Sequence, residues 1–163
     1  MAIKSIRLWL WGAVGALALT AIVAATLLRQ PEPTGFGQGS YSLIDQNGQP
    51  VDQTLFAGHP TALFFGFTHC PEVCPTTMAE MAAVQQRLGD KADDLQIVFV
   101  SIDPERDTPR QLKDYLSSDG FLRGTIGLTG TPEQVAQAAK AYRAYYEIVG
   151  EGEGYTMNHS LTF

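Results

Sequence analysis

Cys70 and Cys74 are the only cysteines in this 163-residue chain, with Pro71, Glu72 and Val73 between them. They follow the apolar run 61–67 and precede a stretch patterned as a helix. A thiol at such a strand-to-helix turn is accessible, and a helix N-terminus favours its thiolate. The placement therefore predicts a depressed pKa for at least one of the pair. Two such thiols can cycle between dithiol and disulfide, or grip one soft metal ion.

Oxidoreductases of the thioredoxin type separate their cysteines by two residues, so the spacing here sets the sulfurs differently. As metal ligands, two thiolates suit Cu(I), Zn(II) or an iron–sulfur cluster. A structural zinc site needs four ligands and a cluster needs more thiolates than this chain holds. Cu(I) accepts low coordination, and two sulfurs plus one imidazole make a three-coordinate site. The imidazole has three sources, His59, His69 and His159. His59 lies in a Gly-His-Pro turn and reads as a solvated residue. His69 adjoins Cys70, and neighbours in extended chain point apart. His159 opens the last strand-like stretch, far away in sequence. Met78 and Met81 fall at helical spacing and read as core before thioether ligands.

The elements that must position these groups follow from pattern. Residues 41–51 read as a β-hairpin whose Asn47-Gly48 step supplies the turn's positive φ angles. Residues 61–67 and 95–102 are near-continuous apolar runs, as in strands buried on both faces. Pro75 suits the first turn of a helix running to about Gly89. Thr108-Pro109 opens a second helix with Leu112, Tyr115 and Leu116 facing inward. Thr131-Pro132-Glu133 opens a third, with Val135, Ala138, Ala139, Tyr142 and Tyr146 on one face. Residues 125–128 read as a third strand, 146–149 as a helix extension or a short strand, and 155–163 as a final strand. Strands alternating with helices make an α/β sandwich around a mixed or parallel sheet. Phe163 ends the chain inside a strand-like stretch, which reads as a fragment or a truncation.

Residues 8–28 carry no charge and, as a helix, reach about 31 Å, enough to cross a bilayer core. Lys4 and Arg7 precede this span and Arg29 follows it, which holds residues 1–7 in the cytoplasm. The expected order is a cytoplasmic N-terminus (1–7), a transmembrane anchor (8–28), a Pro- and Gly-rich linker (29–39) and an outer domain (40–163). A bacterial inner-membrane protein with its domain in the periplasm fits best. Beyond Arg29 there are eight Lys or Arg against seventeen Asp or Glu, nine charges negative. Such a surface argues against nucleic acid as a partner.

Three segments together, FFGFTHCPEVCP at 64–75, VSIDPERDTP at 100–109 and the His159-Ser160 pair, resemble the Sco/SenC family. Its members are membrane-anchored, thioredoxin-like proteins for assembly of the copper A centre of cytochrome c oxidase. The resemblance covers roughly residues 39–163. It implies a thioredoxin-like fold with a β-hairpin elaboration, and Cys70, Cys74 and His159 as ligands for Cu(I) or Cu(II). It implies the copper A subunit of the oxidase as partner, with other periplasmic copper chaperones or thiol reductases as further candidates. Two departures stand out. Asn158 occupies the position where the family usually has Asp, and the family continues past this histidine into further strand and helix.

Asp103 reads either as support for the site or as a turn cap. Arg106 reads as a surface partner of Glu105 or Asp107. Three functions compete: a copper-binding assembly factor, a thiol–disulfide oxidoreductase working through Cys70 and Cys74, and a structural Cys70–Cys74 disulfide. The last is weakest, because so short a loop closes little chain entropy.

Overall fold

Residues 61–67 hold no polar side chain beyond Thr61, so they have no face to give to water. In the computed structural model they form β3 (Thr61–Gly66), buried from Leu63 onward. The structure describes residues 11–21, 23–24, 37, 39–118 and 124–160. Residues 11–21 and 23–24 are helical. Among the described residues no helix is long and apolar enough to cross a membrane. The remainder of the expected 8–28 span, most of the expected linker and residues 161–163 lie outside the described residues. Residues 1–33 and 34–163 are separate compact units.

The second unit contains β1 (Ser42–Asp45), β2 (Pro50–Asp52), β3, β4 (Gln96–Ser101) and β5 (Ile126–Thr129) in one sheet of order β2-β1-β5-β4-β3. β3, β4 and β5 run parallel, with Phe65 opposite Val100 and Val100 opposite Leu128. β1 joins β5 antiparallel, and β2 joins β1. The mixed α/β sandwich is thus observed. By pairing order β3 ends this sheet. A strand can be covered on both faces without having a neighbour on both edges.

The β1–β2 turn differs in type from the expected one. Gly48 alone takes a positive φ, +82°, while Asp45 accepts from the amides of Asn47 and Gln49 at 2.8 Å. Gly48 N–H donates to the Asp45 carbonyl and Asp45 N–H to the Gln49 carbonyl, both at 2.9 Å. This is a type I turn closed by a glycine bulge, which needs one left-handed residue rather than two.

Three helices pack on the sheet: α1 (Val73–Leu88), α2 (Pro109–Leu116) and α3 (Pro132–Ala141). Thr108 caps α2, and Thr131 with Gln134 forms a full capping box on α3. Met78 is buried in the core and Met81 packs against it, the core placement expected of both. Tyr142 caps the end of α3, and of the two readings for residues 146–149 the strand is the one observed. Arg143 takes φ +54°, which ends the helix and sends the chain into β6 (Tyr146–Val149). β6 pairs antiparallel with β7 (Thr156–His159) in a separate two-stranded sheet.

Gly66 closes β3 where the backbone is tightly approached. A Cβ there would lie 2.7 Å from the Phe64 ring and 3.0 Å from both Cys74 Sγ and the Phe99 ring. Gly66→Ala should therefore destabilise the protein by about 1–3 kcal/mol, as overpacking does. Denaturant unfolding checks this, and an unchanged midpoint would contradict the packing described.

Candidate metal centre

The chain leaves β3 through buried Phe67 and turns at once, with Cys70 N–H bonded to the Phe67 carbonyl at 3.2 Å. Helix α1 then begins at Val73 with Glu72 as its cap residue. Cys74 therefore lies in the first turn of the helix, and Pro75 is the third helical residue. Cys74 is fully buried and Cys70 half-buried, and both are thiols, not a disulfide. Cys74 N–H points to Cys70 Sγ at 3.4 Å.

Burial works against a thiolate at Cys74. Desolvation pushes its pKa up to about 12, and the neighbouring Cys70 adds to the rise. The partial positive charge of the helix end is outweighed, because a buried thiolate loses its hydration.

His159 ends β7 instead of opening a strand, and its ring meets Phe64 and Phe67 edge-on at 6.2 and 6.1 Å between centroids. Its Nδ1 is 3.3 Å from the Ser160 carbonyl oxygen, which can only accept. A proton on Nδ1 is what this contact calls for, and Nε2 faces Cys74 Sγ at 3.9 Å. Cys70 Sγ, Cys74 Sγ and a His159 nitrogen all lie within 4.8 Å of one another. Metal–sulfur and metal–nitrogen bonds of about 2.3 and 2.0 Å span at most about 4.3 Å. One ion fits between sulfur and imidazole with a wide angle. The donor set suits a soft ion that accepts three ligands. A cleft of about 320 Å³ beside the donors is walled by Phe67, Cys70, Val73, Met157 and His159.

The other imidazoles stay apart from the sulfurs. His59 is exposed in its turn, as expected. His69 directs Nδ1 to Thr68 Oγ1 at 3.1 Å and towards Asp107 at 3.8 Å. His69, Asp103 and Asp107 also bring donor atoms within 4.8 Å of each other. Their carboxylates already accept from Thr68, Ser101, Arg106 and Tyr155, which marks a hydrogen-bond network. Asn158 is exposed on β7, and the orientation of His159 rests on Ser160.

Arg106 corrects the surface-pairing expectation. It pairs with buried Asp103, not with Glu105 or Asp107, and its side chain is only 19% exposed. Asp103 is accordingly more than a turn cap. Tyr155 and Thr68 were not singled out by sequence reasoning. Their partners are 52 and 39 residues away, and no local pattern announces them.

A model of the SCO1/SenC family matches residues 29–163. A putative copper-binding protein of Stutzerimonas stutzeri is 44% identical over 120 residues, covering 72% of this chain and 58% of that protein. The chain spans about half the length of the curated relatives it matches. Bradyrhizobium japonicum ScoI, solved with copper bound, superposes with TM-score 0.71 at 43% identity, covering 78% of this chain and 80% of that one. BsSco, described as carrying a disulfide switch and as a member of the Sco family of cytochrome c oxidase assembly proteins, aligns with TM-score 0.58 at 26% identity, covering 78% of each. With fold, motif order and these likenesses in agreement, the chain belongs to the SCO1/SenC family.

Proposed function

We propose that this protein binds one copper ion through Cys70, Cys74 and His159 and passes it on during assembly of the copper A centre of cytochrome c oxidase. The observation that carries the reading is the approach of His159 Nε2 to Cys74 Sγ at 3.9 Å. The copper bound to ScoI and the assembly role given to BsSco's family support it. Two thiolates hold Cu(I) firmly, and the neutral imidazole completes the site and is the first ligand to yield to an acceptor. The open cleft beside Cys70 gives that acceptor access. In this reading the copper A subunit of the oxidase receives the ion, and residues 40–163 form the copper-binding domain.

We place that domain in the periplasm of a bacterium, with residues 8–28 as anchor, 29–39 as linker and 1–7 in the cytoplasm. The uncharged apolar span and the basic residues before it support this topology. Proteolysis of spheroplasts should digest the outer domain, and protection until lysis would reverse the assignment.

Thiol–disulfide exchange is a second reading, favoured by two free thiols in reach of each other and by the switch described for BsSco. The pair would give up two electrons and two protons on forming the Cys70–Cys74 disulfide, and a partner's disulfide would take them up. This chemistry does not need the imidazole. Replacing His159 by Ala therefore separates the two. Copper affinity should fall by more than about 100-fold, beyond the usual effect of losing a group that merely orients a ligand. Unchanged affinity in a competition titration would remove His159 from the site and leave redox exchange as the better account.

The raised Cys74 pKa has a consequence for uptake. Near neutral pH this thiol keeps its proton, and the metal must expel it. Apparent copper affinity should thus rise at least about tenfold per pH unit between pH 6 and 8. A flat profile would mean that Cys74 does not ligate as a thiolate. The sign for folding is opposite. A folded-state pKa above the unfolded value favours the native state below about pH 9, and this contribution fades as pH climbs towards 12.

A further inference from the structure

The hairpin that carries His159 pairs only within itself among the described strands. Its place against the sulfurs must come from side chains. Ser160 N–H donates to the Tyr145 carbonyl at 2.9 Å and Tyr145 N–H to Ser160 Oγ at 3.0 Å, but these bonds tie β6 to β7 and not the hairpin to the body.

Tyr155 immediately precedes β7 and makes three contacts with the loop between β4 and α2. Its hydroxyl donates to Asp103 Oδ1. Its carbonyl accepts from Arg106 Nη1 at 2.9 Å. Its ring lies 3.7 Å from the Arg106 guanidinium carbon. Arg106 Nε donates in turn to Asp103 Oδ2, so one guanidinium bridges the loop's carboxylate and the hairpin's backbone. Asp103 is 3% exposed, so these partners stand in for the water its carboxylate lacks.

The far end of the same loop grips the cysteine side. Asp107 is fully buried and accepts from Thr68 N–H at 2.9 Å and Thr68 Oγ1 at 2.6 Å, two residues before Cys70. Ser101 joins the two grips through a single atom. Its Oγ donates to Asp107 at 2.6 Å and accepts from Asp103 N–H at 3.0 Å.

We infer that residues 103–107 form a two-armed bracket, and that Asp103, Arg106 and Tyr155 are positioning residues which set the distance from the His159 imidazole to the cysteine sulfurs. Asp107 fixes the cysteine arm and Asp103 with Arg106 fixes the histidine arm, so both ligand sources share one rigid reference. A buried ion pair adds little to stability compared with apolar packing, while its fixed geometry specifies an arrangement. The inference rests on His159 being a copper ligand.

The test is a cycle of Tyr155→Phe and His159→Ala, read by copper(I) competition and by amide hydrogen exchange of the copper-free protein. Tyr155→Phe keeps the ring beneath Arg106 and removes only the hydroxyl. It should weaken copper binding about tenfold in the native background, the lower end for a group that orients a ligand. In the His159→Ala background the same change should have no effect, because its route to the metal is gone. Amides of β6 and β7 should exchange faster in the copper-free variant while those of β4 and β5 keep their protection. Arg106→Lys keeps the charge but cannot bridge Asp103 and the Tyr155 carbonyl together, and it should follow the same pattern. An equal loss in both backgrounds, or none in the native one, would overturn the bracket. If His159→Ala alone leaves affinity unchanged, the copper reading fails instead. Hairpin exchange then decides the bracket by itself: faster exchange supports it and unaltered exchange overturns it.

Discussion

Cys74 and His159 are 85 residues apart in sequence, and their side chains meet at 3.9 Å. That closeness is the constraint to which the rest of the domain answers. One partner is fixed by the sheet: β3 delivers the chain to a turn, and α1 carries Cys74 back over Gly66, where a Cβ would crowd its sulfur. The other partner comes on a hairpin that follows α3, and two aromatic rings from the end of β3 cradle its imidazole. Without both, the sulfurs are an ordinary dithiol.

The burial that places Cys74 also governs its chemistry. Taken out of water, the thiol holds its proton and is a poor nucleophile in the metal-free state. A soft cation reverses this balance, because the metal–sulfur bond replaces the lost hydration. Cys70 stands at the cleft wall and is half-buried, so the two sulfurs meet solvent and partners unequally. The Ser160 carbonyl lies 3.3 Å from His159 Nδ1, so the backbone orients the imidazole with Nε2 towards Cys74.

Local pattern carried much of the architecture. The apolar runs of β3 and β4, the Thr-Pro openings of α2 and α3, and the hairpin around Gly48 all depend on residues close in sequence. The cysteine turn was legible for the same reason. What stayed hidden was tertiary. The depth of Cys74 depends on the close approach of Gly66 across the turn, so which way burial would push this thiol could not be read from a helix end. Pattern left residues 146–149 open between helix extension and strand, because the left-handed residue that ends the helix, Arg143, is not a glycine and is hard to foresee. The pairing of Arg106 with Asp103 and Tyr155 joins distant segments, and charge spacing pointed instead to its sequence neighbours. Of the three candidate imidazoles, spacing alone left the choice open, and among the described residues the path of the last hairpin brings that of His159 beside both sulfurs.

Copper K-edge X-ray absorption on the copper(I)-loaded protein addresses the arrangement of these three donors most directly. The account predicts a first shell of two sulfurs and one nitrogen, with the nitrogen and the outer-shell scattering of an imidazole lost in His159→Ala. A shell of sulfur alone in the native protein, unchanged by that substitution, would contradict it.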